Sequence, residues 1–347
     1  MGSKKTWKQK LPDQKLTVYE PYFTEFFDVM LERMLIWKRR FIDEEQRPWT
    51  KNPILNKFKF TNVYRMLDRS SQWQIQHIIL DEQLTGINLI WKMMVYRMFN
   101  NPETFEEGLK HWNNGIPDYK KYNVDEWYKF IQGIKCRGIN PFTNAYLTNS
   151  AAYPGLTRVE CYTKKILPIL HERIPGLYKL MQTAKKPEEI IEYLTAMPSC
   201  AKFMAHEYYQ DFTYMAIFRN DNFFPFDQND FTNVGPGASL GLRLIFPKLV
   251  GKDQKVGIYW LKELAEEELE KARVRLGVKS VPYVMWNKNK GEFEITDKCN
   301  ITLHQIEMWL CEYQKYWKMC IGEGKQRSEF QPKTNVKVQC IQKELPL

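Results

Sequence analysis

The stretch YFTEFFDVMLERMLIWKRR, residues 22–40, constrains this chain more than any other. Phe23, Phe26, Phe27, Met30, Leu31, Met34 and Trp37 recur at i, i+3, i+4 spacing, which makes one broad apolar stripe on a helix. Glu32, Lys38, Arg39 and Arg40 lie mostly off that stripe. A stripe this rich in aromatic rings must be covered by other elements, and the rest of the chain supplies mainly helices. Helical periodicity continues in TNVYRMLDRSSQWQIQHIIL from about Thr61, and in TGINLIWKMMVYRMFN, VDEWYKFIQGIK and RVECYTKKILPILHERI. It returns in PEEIIEYLTAM, AKFMAHEYYQDFTYMAIF, KVGIYWLKELAEEELEKARVRLG and TLHQIEMWLCEYQKYWKMC. Pro187 and the acidic turn after it are helix-start signals. Strand character is confined to the region of Ala145–Leu147, so the expected class is mainly α. With no linker-like stretch or internal repeat, residues 1–20 read as a basic extension, 21–321 as one helical domain and 322–347 as a polar tail.

Charge narrows the partner. Lys and Arg number 51 against 41 Asp and Glu, a formal net charge of +10, which favours a polyanion such as nucleic acid. The seven cysteines, at 136, 161, 200, 299, 311, 320 and 340, are odd in number and include no C-x-x-C pair. They read as reduced thiols of a cytoplasmic protein rather than a disulfide framework or a zinc site. MGSKKTWKQK is basic without an apolar core, so no signal peptide is expected, and no apolar run approaches a membrane span.

TNVGPGASLGL places Gly235, Gly237 and Gly241 within seven residues. Three residues separate the second and third glycines, one too many for G-x-G-x-x-G, and the segment before them is polar and broken by Pro225. A dinucleotide loop is therefore excluded, and G-x-x-x-x-G-K-[ST] occurs nowhere. The glycines instead suit close approach of backbone to a phosphate, with Pro236 opening a helix near Ala238.

Three further stretches carry chemistry. In FKFTNVYRMLDRSSQW, Asn62, Arg65, Asp68 and Arg69 would be neighbours on a helix, two arginines to clamp phosphates and Asp68 to orient one of them. In MWLCEYQKYWK, Glu312 sits among apolar neighbours, a setting that raises a carboxyl pKa, and Lys315 lies one turn from Cys311. MPSCAKF, residues 197–203, is a tight turn between two helices, whose backbone N–H groups and following helix N-terminus suit a phosphate. Helix, short hairpin, helix is the device by which DNA repair glycosylases grip a strand, with a carboxylate about one helix further on; Asp221, Asp227 and Asp230 fall in that window. The scattered histidines make no H-E-x-x-H, and no metal or cofactor set is apparent in the sequence.

Taken together, F-T-N-x-x-R-x-x-D-R, AKFMAHEYYQD, V-G-P-G-A-x-x-G-L and WLCEYQKY resemble the α-glutamyl/putrescinyl thymine pyrophosphorylase family, related to the helical domain of 5-hydroxymethyl-deoxyuridine DNA kinases. The resemblance runs from about Phe23 to Lys318 and includes PWTKNPIL before the first motif. It implies a helix-hairpin-helix DNA glycosylase-like helical bundle acting on double-stranded DNA that carries a modified pyrimidine. It also implies an amino acid or polyamine co-substrate, which displaces pyrophosphate from a pyrophosphorylated 5-hydroxymethyl group. A glycosylase and a non-catalytic reader of modified DNA are the alternatives. Carried over residue by residue, Asp230, Glu312 and Asp68 become the catalytic candidates. Asn62, Arg65, Arg69, Gly235, Gly237, Gly241 and Lys315 become candidates for holding substrate or phosphate. The last motif usually reads C-E-F-D-K, and Gln314 stands here in place of its acid; Ser199 and Ala201 stand where the hairpin usually has glycine.

Overall fold

The computed structural model describes residues 16–143, 153–219 and 223–324; Asp221, the segment at Ala145–Leu147, Cys340 and the tail from residue 325 lie outside them. Along the chain the helices are α1 (Glu20–Phe41), α2 (Pro53–Lys57), α3 (Arg69–Gln74), α4 (Gly86–Phe99), α5 (Pro102–Gly108), α6 (Val124–Cys136), α7 (Arg158–Glu160), α8 (Leu167–Thr183), α9 (Pro187–Thr195), α10 (Lys202–Phe218), α11 (Pro236–Ile245) and α12 (Gln254–Leu276). A hairpin of β1 (Tyr283–Asn287) and β2 (Glu292–Thr296) follows, and then α13 (Leu303–Cys320). Single turns of π-helix, Ile75–Ile79 and Cys161–Ile166, continue α3 and lead into α8. The mainly helical expectation holds. The hairpin escaped the sequence reading because its strands are five residues each and only Tyr283, Val284, Trp286 and Phe293 are buried. It pairs antiparallel, Tyr283 opposite Thr296 and Asn287 opposite Glu292.

The chain divides into two compact units, one of residues 1–68 and 228–347 and the other of residues 69–227. In the first, α1, α11, α12 and α13 pack on one another. The predicted stripe of α1 is buried throughout, Phe26, Phe27, Met30 and Leu31 completely. Trp309 of α13 donates its indole N–H to the Phe26 carbonyl at 3.2 Å, and the Tyr313 hydroxyl donates to Glu25 at 2.7 Å, so these two rings keep their polar atoms satisfied. In the second unit α4 packs on α8 and α10, with Trp91, Tyr96, Phe99, Leu167 and Phe212 in its core. A buried ion pair in it, Arg97 with Asp211, is bidentate at 2.5 and 2.6 Å, and Arg97 is further bonded to Gln74 and Asn100. That satisfaction is what makes a charge tolerable at such depth.

The glycine stretch builds the α11–α13 contact. Pro236 occupies the first turn of α11, where a missing N–H is harmless, and Gly235 caps it. A Cβ on Gly241 would lie 2.5 Å from the Leu310 carbonyl oxygen, and one on Gly237 2.9 Å from Cys311 Sγ. Small residues at i and i+4 thus let two backbones approach. G241A should therefore lower stability by about 1–3 kcal/mol, because the obstacle is backbone rather than a movable side chain. Urea unfolding reads this as a lower midpoint with an unchanged slope; a wild-type midpoint would mean that α11 is not seated on α13.

Candidate active site around Phe60–Asp68

The segment with the first motif is not a helix. After α2, Phe58 is extended, residues 59–64 form an irregular stretch that bends at Val63 and Tyr64, Arg65–Leu67 form one 3-10 turn, and Asp68 is extended before α3. This corrects the expectation of a helix from Thr61, and the reason is visible in the hydrogen bonds. A helix from Thr61 would use the Phe60 and Thr61 carbonyls within the backbone, its first N–H groups being free in any case. Side chains take them instead. Arg33 of α1 donates Nε to the Thr61 carbonyl at 3.1 Å and Nη2 to the Phe60 carbonyl at 3.3 Å. Glu312 of α13 accepts the Thr61 N–H at 3.2 Å, and Asp68 accepts the Asn62 N–H at 2.9 Å. Phe60, Val63, Tyr64, Met66 and Leu67 are buried beneath the segment. Tyr64 donates to Asn300, which in turn donates to the Val284 carbonyl of β1 and ties the hairpin to the loop.

Asp68 Oδ1 also accepts the Asn62 Nδ2 at 2.9 Å, and that nitrogen gives its second proton to the Leu67 carbonyl at 3.1 Å. The two acceptors fix the Asn62 amide orientation. Its Oδ1, like the Thr61 hydroxyl, is buried without a hydrogen-bond partner. Glu312 is buried and joins Lys315 at 2.5 Å, while Lys315 leaves about half of its side chain in solvent. Four predicted residues therefore gather here: Asn62, Asp68, Glu312 and Lys315. Arg65 belongs with them, since its charge lowers the pKa of both Asp68 and Lys315.

The electrostatics of this cluster oppose one another. Burial pushes the Asp68 carboxyl up to about 6 from an ordinary 3.8, Glu312 adds to the rise, and the Asn62 N–H, Arg65 and Arg33 pull it back. Burial lowers Arg33 to about 10, against the pull of Asp68 and Glu312, so it stays a cation at neutral pH. For Lys315 burial acts downward, yet the Glu312 charge and hydrogen bond leave its pKa above the ordinary value. The arrangement holds a carboxylate poised near neutrality within a ring of cations.

Other predicted residues lie elsewhere. Arg69 opens α3 in the second unit and pairs at its surface with Glu103 at 3.5 Å, so the helical neighbourhood expected for it with Asp68 does not form. Gly237 and Gly241 face α13, and the Glu307 carboxylate lies 3.4 Å from where a Gly235 Cβ would stand. A carboxylate thus already borders the N-terminus of α11. Asp230 is half-buried in a turn of residues 228–230 that clasps the start of α13 through Gln228 with Gln305 and Asn229 with Leu303. Glu312 lies nine residues further along that helix, about 14 Å of rise. Gln314 is buried, donates to the Cys311 carbonyl, and leaves its Oε1 without a partner. Asp227 accepts the Tyr209 hydroxyl through its carbonyl. The corner between α9 and α10 forms as expected, and Ser199 adopts φ +59, the left-handed region in which glycine is normal. Ala201 gives α10 no side-chain cap, and Phe203 is exposed beside it. Arg33 was missed by the sequence reading; its signal is a cation embedded among Met30, Leu31, Met34 and Leu35, all buried.

Among the described residues no group of His, Cys, Asp and Glu gathers to hold a metal ion, and no helix is long and apolar enough to cross a membrane. The model of the 5-hmdU DNA kinase helical domain matches residues 20–326, spanning α1, the segment of residues 58–68 and α13. This chain belongs to that family. A 5-hmdU DNA kinase of Bacillus phage SP10 is 26% identical over 319 residues, covering 88% of this chain and 46% of the relative. The chain thus spans about half the length of the curated relative that it matches. No solved structure matches it.

Because the folded state holds the Asp68 proton more tightly than the unfolded chain, its contribution to stability is present below about pH 4 and lost as pH rises to about 6. A carboxyl ¹³C titration should give Asp68 a midpoint near 6, and D68N should flatten the pH dependence of stability in that window. A midpoint near 4 would mean that the loop is open to water.

Proposed function

We propose that this chain is a DNA-modifying transferase of thymine hypermodification. It takes a pyrophosphorylated 5-hydroxymethyl-deoxyuridine in duplex DNA and replaces pyrophosphate with the amine of an amino acid or polyamine. Family membership, the net charge of +10 and the motif resemblance support DNA with a modified pyrimidine as substrate. The observation that carries the reaction type is Asp68, a carboxylate with a pKa near 6 flanked by Arg33, Arg65 and, through Glu312, Lys315. A displacement of this kind needs a base for the incoming amine and cations for the departing group.

In this reading the target base leaves the stack, an unstacking cost of a few kcal/mol. The bond from the exocyclic carbon to the pyrophosphate oxygen breaks, and its electron pair departs with pyrophosphate, held by Arg65 and Lys315. Guanidinium forks and a partly exposed ammonium match phosphate oxygens. The amine lone pair forms the new C–N bond, and the Asp68 carboxylate takes the amine proton. Asn62 fixes the carboxylate, and Glu312 keeps Lys315 oriented. Asp230 remains a further candidate for the base. Phosphoryl transfer is the weaker reading for this chain, which has no P-loop motif and covers under half of the kinase relative.

The corner at Ser199 with the uncapped start of α10 favours a second reading, a glycosylase that holds a DNA strand there and cleaves the glycosidic bond with water. Incubation of the purified chain with DNA bearing pyrophosphorylated 5-hydroxymethyl-deoxyuridine and a mixture of amines separates the two. Nucleoside mass spectrometry should find an amine adduct and free pyrophosphate. Abasic sites without adduct would replace the transfer reading by base excision, and unchanged nucleosides would leave a binding protein.

A further inference from the structure

We propose that Arg33 is a positioning residue for the chemistry at Asp68, acting from beneath the loop rather than on the substrate. This rests on the reading of Asp68 as the proton acceptor. The geometry is specific. One guanidinium donates through two nitrogens to two successive carbonyls, Phe60 and Thr61, on the side of the segment opposite to the N–H groups that Glu312 and Asp68 accept. The stretch is therefore held at the Phe60 and Thr61 carbonyls and at the Thr61 and Asn62 N–H groups. A planar guanidinium presents two nitrogens to two acceptors in a fixed fork, whereas an ammonium offers a single nitrogen whose three protons are not held in that geometry. The Thr61–Asn62 unit so fixed is the one that presents its N–H and amide to Asp68.

The same cation is one of the charges facing the reacting carboxylate. Asp68 is faced by Arg33, Arg65 and Glu312; Glu312 by Thr61, Lys315, Arg33 and Asp68; and Arg33 additionally by Arg40 of its own helix. Arg33 accordingly has two separable effects, one through hydrogen bonds on loop geometry and one through charge on the Asp68 proton.

Two variants separate them. R33Q removes the charge and the fork, and R33K keeps the charge alone. In R33Q the Asp68 ¹³C midpoint should rise, because a cation that lowers it is gone, and the acid limb of kcat should move up with it. Its kcat should fall at least about tenfold, a partial loss of the 10²–10⁴ that a placed base supplies, with KM little changed. In R33K the midpoint should stay near wild type, while hydrogen exchange of a peptide spanning residues 58–68 quickens and kcat falls less. A structural role alone would lower thermal stability in both variants and move neither the midpoint nor the acid limb. Wild-type exchange together with an unmoved midpoint in R33Q overturns the proposal. If R33Q does not fold, R33K with wild-type exchange and kcat overturns it instead. A wild-type chain without transfer activity would defeat the transfer reading, and exchange and titration would still decide what Arg33 does.

Discussion

The arrangement depends on one irregular segment being held open. Residues 60–62 neither pair in a sheet nor coil into a helix, yet four of their six backbone polar groups are bonded by Arg33, Glu312 and Asp68. Buried backbone without partners is expensive, on the order of 1–3 kcal/mol for each group. The three charged side chains therefore stabilise the loop as much as they form the site. Because Arg33 comes from α1 and Glu312 from α13, the packing of those two helices sets the loop geometry. The Trp309 and Tyr313 bonds to α1 lock that packing.

The close seating of α11 on α13 serves the same end. Gly237 and Gly241 allow α11 to lie against Cys311 and Leu310, directly beside Glu312 on the same helix. Two glycines of the stretch that suggests a phosphate cradle in sequence thus act in packing. In the proposed reaction the departing pyrophosphate is held instead by the side chains of Arg65 and Lys315.

Much of the fold was legible because periodicity and burial share one cause. The stripe of α1, the Pro187 and Pro236 helix starts and the long charged α12 each follow from local spacing or local backbone rules. The site was legible as a set of residue types, and Asn62, Asp68, Glu312 and Lys315 do meet. Their geometry was not, since the loop conformation is imposed by Arg33 and Glu312, remote in sequence by 27 and 251 positions from the groups they bind. Helical periodicity in FTNVYRMLDR reflects burial of Phe60, Val63, Tyr64, Met66 and Leu67, which an irregular segment with a 3-10 turn achieves equally well. The short hairpin was missed for a related reason, as two five-residue strands carry too little alternation to register.

The central claim is that the carboxylate at Asp68 performs the proton transfer at this site. The most direct test is the turnover of D68N against wild type on the same modified DNA above pH 7, with folding verified by thermal unfolding. The account predicts a fall of kcat by about 10²–10⁴-fold, the usual worth of a placed general base, in a protein that melts cooperatively. A folded D68N that turns over at the wild-type rate would contradict it and move the chemistry to another carboxylate.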